Sequence, residues 1–260
     1  MGMERPPGRG KAQAAVLNVA QLLPNLITLG AGCAGLTAIR LAFDGHVATS
    51  VSLIMLAALL DLLDGFTARL LQSTSAIGAE LDSLVDFVNF GVAPGLVLYI
   101  WALDGWRSSG WIAVLIFAIC AALRLARYNT EAKTGKAPGG GLFRGVPAPG
   151  AALLVLLPLV LAQNWPGLLG PALQPLTAIW LVAVGLMMIA RFTTPSLRSL
   201  RIARENAPFM MVGLIAVVAA AITWPWPVLL AFQLVYLAVL ARYALKPPSS
   251  GGADDLSRGV

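Results

Sequence analysis

Composition, the spacing of apolar runs and the distribution of basic residues together predict an all-α integral membrane protein. Of 260 residues, 58% are hydrophobic and only 12% are charged, and the mean hydropathy is +0.80, outside the range of ordinary soluble domains. Apolar runs of bilayer-crossing length recur along the chain, separated by turn-forming clusters such as Asp44-Gly45-His46 and Trp224-Pro225-Trp226-Pro227. Lys and Arg gather in alternate connections, as expected of a chain that threads the membrane repeatedly.

Residues 1–11 are rich in Gly, Pro and Arg and are expected to be disordered; they lack the compact apolar segment and cleavage site of a secretory signal. Residues 12–23 are moderately amphipathic and precede Pro24, which predicts a helix lying in the membrane interface. About eight spans follow, at 26–43, 47–70, 78–103, 110–128, 148–163, 172–191, 208–223 and 227–245, before a polar tail at 247–260. An even number puts both termini on one side. That side receives Arg5, Arg9, Lys11, Arg69, Arg124, Arg127, Arg144, Arg198, Arg201 and Arg242 among others, whereas only Arg40 and Arg107 lie toward the opposite side. Both termini, the short 71–77 turn and the long loops 129–147 and 192–207 are therefore expected to be cytosolic. The net charge of +6 then marks orientation and attraction to anionic phospholipid headgroups, and no nucleic-acid partner is expected.

The remaining inventory narrows the chemistry. Trp101, Trp106, Trp111, Trp165, Trp224 and Trp226 fall at the outer ends of the spans, an interfacial aromatic belt. His46 is the one histidine and lies in an outer turn, so a histidine relay or a zinc ligand set has no material. Cys33 and Cys120 fall inside spans and read as small buried hydrophobes. Gly30, Gly32 and Gly35, with Ala31, Ala34 and Ala38, make small-residue faces suited to close helix packing.

Against this background, four aspartates stand out. Asp61, Asp64, Gly65, Ala68 and Arg69 fall at i, i+3, i+4, i+7 and i+8, and Gly78, Asp82 and Asp86 recur every four residues, so each set forms one stripe on a helix. Carboxylates at membrane depth are costly unless they hold a cation, pair with donors or line a wet cavity. Hard oxygen ligands without His or thiolate suit Mg²⁺ or Mn²⁺, and four carboxylates suit two such ions. Gly65 and Ala68 remove bulk on the same face, and Gly78 does so opposite. From the residues alone three readings stay open: two-metal chemistry on a diphosphate, a divalent-cation transport site, or a structural network with Arg69 and other arginines.

The run Asp61-x2-Asp64-Gly65-x2-Ala68-Arg69-x8-Gly78-x3-Asp82-x3-Asp86 resembles, in full register, the signature of the CDP-alcohol phosphatidyltransferase family. Further stretches, Pro24-Asn25-Leu26-Ile27-Thr28, the continuation Phe87-Val88-Asn89-Phe90-Gly91-Val92-Ala93-Pro94, Arg124-Leu125-Ala126-Arg127-Tyr128-Asn129 and Phe143-Arg144-Gly145-Val146-Pro147, are similar to its bacterial membrane-integral phosphatidylserine synthase branch. The resemblance implies a six-helix catalytic core within 24–191 and two additional C-terminal spans within 192–246. It implies transfer of phosphatidyl from CDP-diacylglycerol to an alcohol with release of CMP, in the bacterial cytoplasmic membrane and as a homodimer. Asp61, Asp64, Asp82 and Asp86 would surround two divalent cations, Mn²⁺ or Mg²⁺, with Asp86 also the general base. Gly65, Ala68 and Gly78 would shape the cytidine pocket, and Arg69 would hold the donor or the aspartates. L-serine is the expected acceptor, since Arg124, Arg127 and Arg144 beside the inner loop offer partners for its carboxylate, although positive-inside bias also accounts for them. Glycerol 3-phosphate, choline and inositol remain alternative acceptors. Asn25, Thr28 and Asn129 are candidates for phosphate or amino contacts, with helix capping the alternative for Asn25 and Thr28.

Overall fold

The computed structural model describes residues 19–71, 76–134, 142–190, 193–195 and 223–244, together with 216 and 219–221. Six of its helical stretches are long and apolar enough to cross a membrane: Leu23–Phe43, Val47–Ala68, Ile77–Trp106, Ser108–Glu131, Gly170–Ile189 and Pro225–Tyr243. Their outward faces carry large apolar side chains, among them Leu36, Ile119, Ile179 and Val235. An apolar exterior on every span is the surface a lipid environment requires, and the chain is a multi-pass membrane protein.

Helix α1 (Val19–Phe43) and helix α2 (Val47–Leu70) form an antiparallel hairpin. The predicted boundary between an interfacial helix ending at 23 and a span beginning at 26 is absent, because α1 runs continuously through Pro24. Residues 12–18 lie outside the described residues. A paired cap closes α1: the His46 N–H donates to Leu41 O at 2.8 Å and the Gly45 N–H to Ala42 O at 3.0 Å. Gly45 holds the required left-handed conformation at φ 80°.

The third span is compound: α3 (Ala76–Asp86), a π-helical turn (Phe87–Val92), α4 (Ala93–Leu98), and a second π-helical stretch (Tyr99–Leu103). Each π turn inserts an extra residue and rotates the following face by about 100°. Asp82 and Asp86 can thus face a polar chamber while Phe90, Val97 and Leu98 beyond them are fully buried in the apolar core. α1 lies close along this rod because its glycines leave room for it. A Cβ at Gly32 would stand 3.3 Å from Val85 Cγ2, and one at Gly35 would collide with the Asn89 side-chain oxygen. The predicted packing role of this small-residue face is therefore visible, although Gly30 meets nothing.

Helix α5 (Arg107–Thr134) packs on helix α8 (Leu173–Ile189) through another close approach, at Gly185, where a Cβ would sit 3.2 Å from Phe117 Cα. Between them the expected 148–163 span is two short helices, α6 (Ala148–Val155) and α7 (Leu157–Asn164). Pro158 causes the break, since it has no N–H to give to Leu154 O and its ring crowds that carbonyl. Side chains from other helices take the freed backbone acceptors. Trp180 Nε1 donates to Leu154 O at 3.0 Å, and Gln233 Nε2 to Leu153 O at 2.7 Å. Gln233 belongs to the last described helix, α9 (Pro225–Ala244), which also packs on α7. Most of the predicted 208–223 span lies outside the described residues.

A two-stranded antiparallel ribbon departs from the purely helical expectation. β1 (Leu142–Arg144) pairs with β2 (Thr193–Pro195), joining two segments read from sequence as separate inner loops. The chain leaves β1 through Gly145 at φ 73°, where a Cβ would collide with Met188 O, so only glycine allows the approach to α8. The Val146 N–H then donates to Met187 O at 3.3 Å, fixing the entry to α6.

Candidate active site

The aspartate stripes meet where α2 ends and α3 begins. One carboxylate oxygen from each of Asp61, Asp64 and Asp82 can be chosen so that all lie within 4.8 Å of one another. Asp86, one turn beyond Asp82, lies within side-chain hydrogen-bonding reach of Asp61. Two carboxyl groups so placed need a shared proton or a cation between them. Asp64 is buried, only 5% exposed. Its Oδ2 accepts from Thr28 Oγ1 at 2.7 Å, and the same hydroxyl lies 3.0 Å from Pro24 O. Among the described residues none of the four aspartates has an ion-pair partner.

That donor set fits a hard divalent cation. Three converging carboxylates supply oxygen ligands at the mutual distances one ion can bridge, a fourth adjoins them, and no described cation forms an ion pair with them. Among the described residues the structural-network alternative has only Arg124, which lies in electrostatic range of Asp86 without an ion pair to the cluster. The side chain of Arg69, its proposed counter-ion, lies outside them.

The other sequence-derived candidates separate into three groups. Gly65 is exposed beside Asp64 with nothing within 4 Å of a built Cβ, leaving open space on the aspartate stripe, and Ala68 and Gly78 are half-buried along the same two helices. Thr28 is engaged with Asp64, so it positions a carboxylate rather than capping a helix. Asn25 is half-buried one turn earlier on α1. Asn129 Nδ2 donates to Ser83 Oγ at 2.9 Å, tying α5 to the helix that carries Asp82 and Asp86.

The arginines diverge. Arg124 is 9% exposed, donates from Nε to Val146 O at 2.6 Å, and lies in electrostatic range of Asp86. Arg127 is exposed and donates from Nη1 to Ile189 O at 3.2 Å, completing the C-terminus of α8. Arg144 lies in β1, and its side chain falls outside the described residues. Sequence reasoning assigned no role to Ser83, Asn89, Gln233 or Tyr236. The usable signal was a polar side chain inside an apolar span, applied to the aspartates but not to these four.

A sequence model of CDP-alcohol phosphatidyltransferase matches residues 21–194, which contain every aspartate of the cluster, and the chain belongs to that family. Similar curated proteins carry the name CDP-diacylglycerol–serine O-phosphatidyltransferase. One from Mycobacterium tuberculosis is 36% identical over 223 residues, covering 82% of this chain and 76% of its own. One from Helicobacter pylori is 32% identical over 185 residues, 71% of this chain and 76% of its own. A Bacillus subtilis protein is 38% identical over 152 residues, 56% of this chain and 83% of its own.

Proposed function

We propose that this chain transfers phosphatidyl from CDP-diacylglycerol to L-serine, giving phosphatidylserine and CMP, in the bacterial cytoplasmic membrane with its active site and both termini facing the cytosol. The observation that carries the reading is the convergence of Asp61, Asp64 and Asp82 beside the open surface at Gly65, within a family-matched region. Relatives named for the serine reaction support the acceptor. The proposed catalytic core is 24–191, with additional spans within 192–246. A homodimer is proposed with it.

The acyl chains of the donor lie in the bilayer, and the cytidine lies against Gly65, Ala68 and Gly78, with Arg69 holding the donor. Two divalent cations, Mg²⁺ or Mn²⁺, held by Asp61, Asp64, Asp82 and Asp86, would neutralise the diphosphate and the charge on departing CMP. Thr28 fixes the Asp64 carboxylate, and Asn129 fixes the α3 backbone through Ser83. Asp86 takes the proton from the serine hydroxyl as its oxygen forms a bond to the lipid-side phosphorus, and the bond from that phosphorus to the CMP oxygen breaks. Arg124 provides a cationic partner for the acceptor. Arg127 supports it indirectly by holding α8 against α5.

The direct test incubates purified protein in nanodiscs with CDP-diacylglycerol and Mn²⁺ or Mg²⁺, adding serine, glycerol 3-phosphate, choline or inositol separately, and measures CMP and the lipid formed. Serine-dependent phosphatidylserine is the expected product. Product with another acceptor alone would overturn the acceptor assignment, and no CMP with any of them would overturn the transferase reading.

A further inference from the structure

Tyr236 lies on α9, beyond the family-matched region 21–194, yet it reaches into the part of the bundle that holds Arg124. Its ring stands against Gly150 in the first turn of α6. A Cβ there would come within 2.7 Å of the phenolic oxygen and 2.9 Å of Cζ, so glycine at 150 makes the space that the hydroxyl occupies. Phe232 stacks on the ring at a centroid distance of 5.8 Å and an interplanar angle of 11°. The hydrogen bond from Gln233 to Leu153 O anchors the preceding turn of α9. The hydroxyl position is therefore held from three sides.

Its hydrogen bonding is incomplete. The Tyr236 hydroxyl oxygen is sealed from solvent and has no hydrogen-bond partner among the described residues, an arrangement that costs stability relative to a satisfied group. Phenylalanine would supply the same ring without that cost. Arg124 lies in electrostatic range of the phenol, but a guanidinium has only donors and cannot accept the phenolic proton. The first turn of α6 adds backbone N–H groups that have no acceptor inside their own helix. Donors collect around this point, and no described residue provides an acceptor for the phenol.

We propose that Tyr236 and Arg124 together bind an oxyanion of a substrate, so that α9 completes the active site from outside the family-matched region. The inference rests on the transferase reading. A phenolic O–H and a guanidinium at a buried point match a carboxylate or phosphate oxygen, the group missing from the arrangement. Two such groups exist in the proposed reaction, the serine carboxylate and the donor diphosphate.

Tyr236→Phe keeps the ring and removes only the donor. In the full-length protein in nanodiscs, KM for serine and KM for CDP-diacylglycerol are measured for wild type and Tyr236→Phe, with the melting temperature of each. A selective rise of about tenfold in one KM, with a melting temperature equal to or above that of wild type, is expected. A rise for serine assigns the subsite to the carboxylate, and a rise for the lipid assigns it to phosphate. Unchanged KM values overturn the proposal, as does a parallel rise in both with a lower melting temperature, the signature of a merely structural residue. Thermal-shift titrations with L-serine and with CMP give a readout independent of turnover. Stabilisation lost selectively in Tyr236→Phe supports the subsite even if the transferase assay fails, and equal or absent stabilisation of the two proteins overturns it.

Discussion

Two walls of the polar chamber are built on opposite principles. The α2/α3 wall brings together acceptors, Asp61, Asp64, Asp82 and Asp86, from two helices that follow one another in sequence. The wall formed by α5, the start of α6 and α9 carries donors, with Arg124 and Tyr236 drawn from distant parts of the chain. The first suits cations and the second suits anions, so a charged substrate would be gripped between complementary surfaces. The contrast also bears on robustness: stripe spacing fixes the acidic wall locally, whereas the donor wall depends on packing among three helices.

The largest effect is expected on the acidic wall. Asp86→Asn should reduce transfer roughly 10²–10⁴-fold while preserving assembly and donor binding, measured by CMP release, gel filtration and CMP binding; normal turnover would remove Asp86 from the proton step. On the opposite wall, Arg124→Ala should raise KM for serine by about 10–100-fold, the range of a hydrogen bond to a charged group. An equal rise for CDP-diacylglycerol would erase the division of labour between the walls. Thr28→Val takes away the partner of Asp64 and should raise the divalent-cation requirement about tenfold, read from activity across a metal titration. A normal cation requirement would show that Asp64 needs no orienting donor.

The smallest expected effect compares two glycines on α1. Gly35→Ala forces a methyl group into Asn89 and should destabilise by about 1–3 kcal/mol, lowering the detergent-solubilised melting temperature. Gly30→Ala, facing open space, should be neutral or stabilise by up to about 1 kcal/mol through helix propensity. Equal melting temperatures for the two variants would show that α1 does not press on the π turn.

The acidic wall was legible in the sequence because spacing on a helix determines which side chains share a face, and the stripes at Asp61/Asp64 and Asp82/Asp86 needed no tertiary information. Six of the expected spans were legible from the length of their apolar runs. Less local features were not. Pro158 was visible inside the 148–163 run, but the partners that make its break tolerable, Trp180 and Gln233, come from other helices. The β1/β2 ribbon is too short to leave a periodic signal. Arg124 and Arg127 look alike in sequence and sit on one helix, yet one reaches Val146 near the chamber and the other the end of α8.

The break at Pro158 has an effect beyond the shape of one span. It leaves a peptide carbonyl, Leu153 O, that receives its side-chain hydrogen bond from α9. In hydrocarbon an orphaned backbone group costs several kcal/mol. Withdrawing the last helix would therefore expose an uncompensated dipole in the middle of the broken Ala148–Asn164 span, and the bilayer itself penalises that state. A helix lying outside the family-matched region is thereby retained by a defect within it, and the lipid works as the latch.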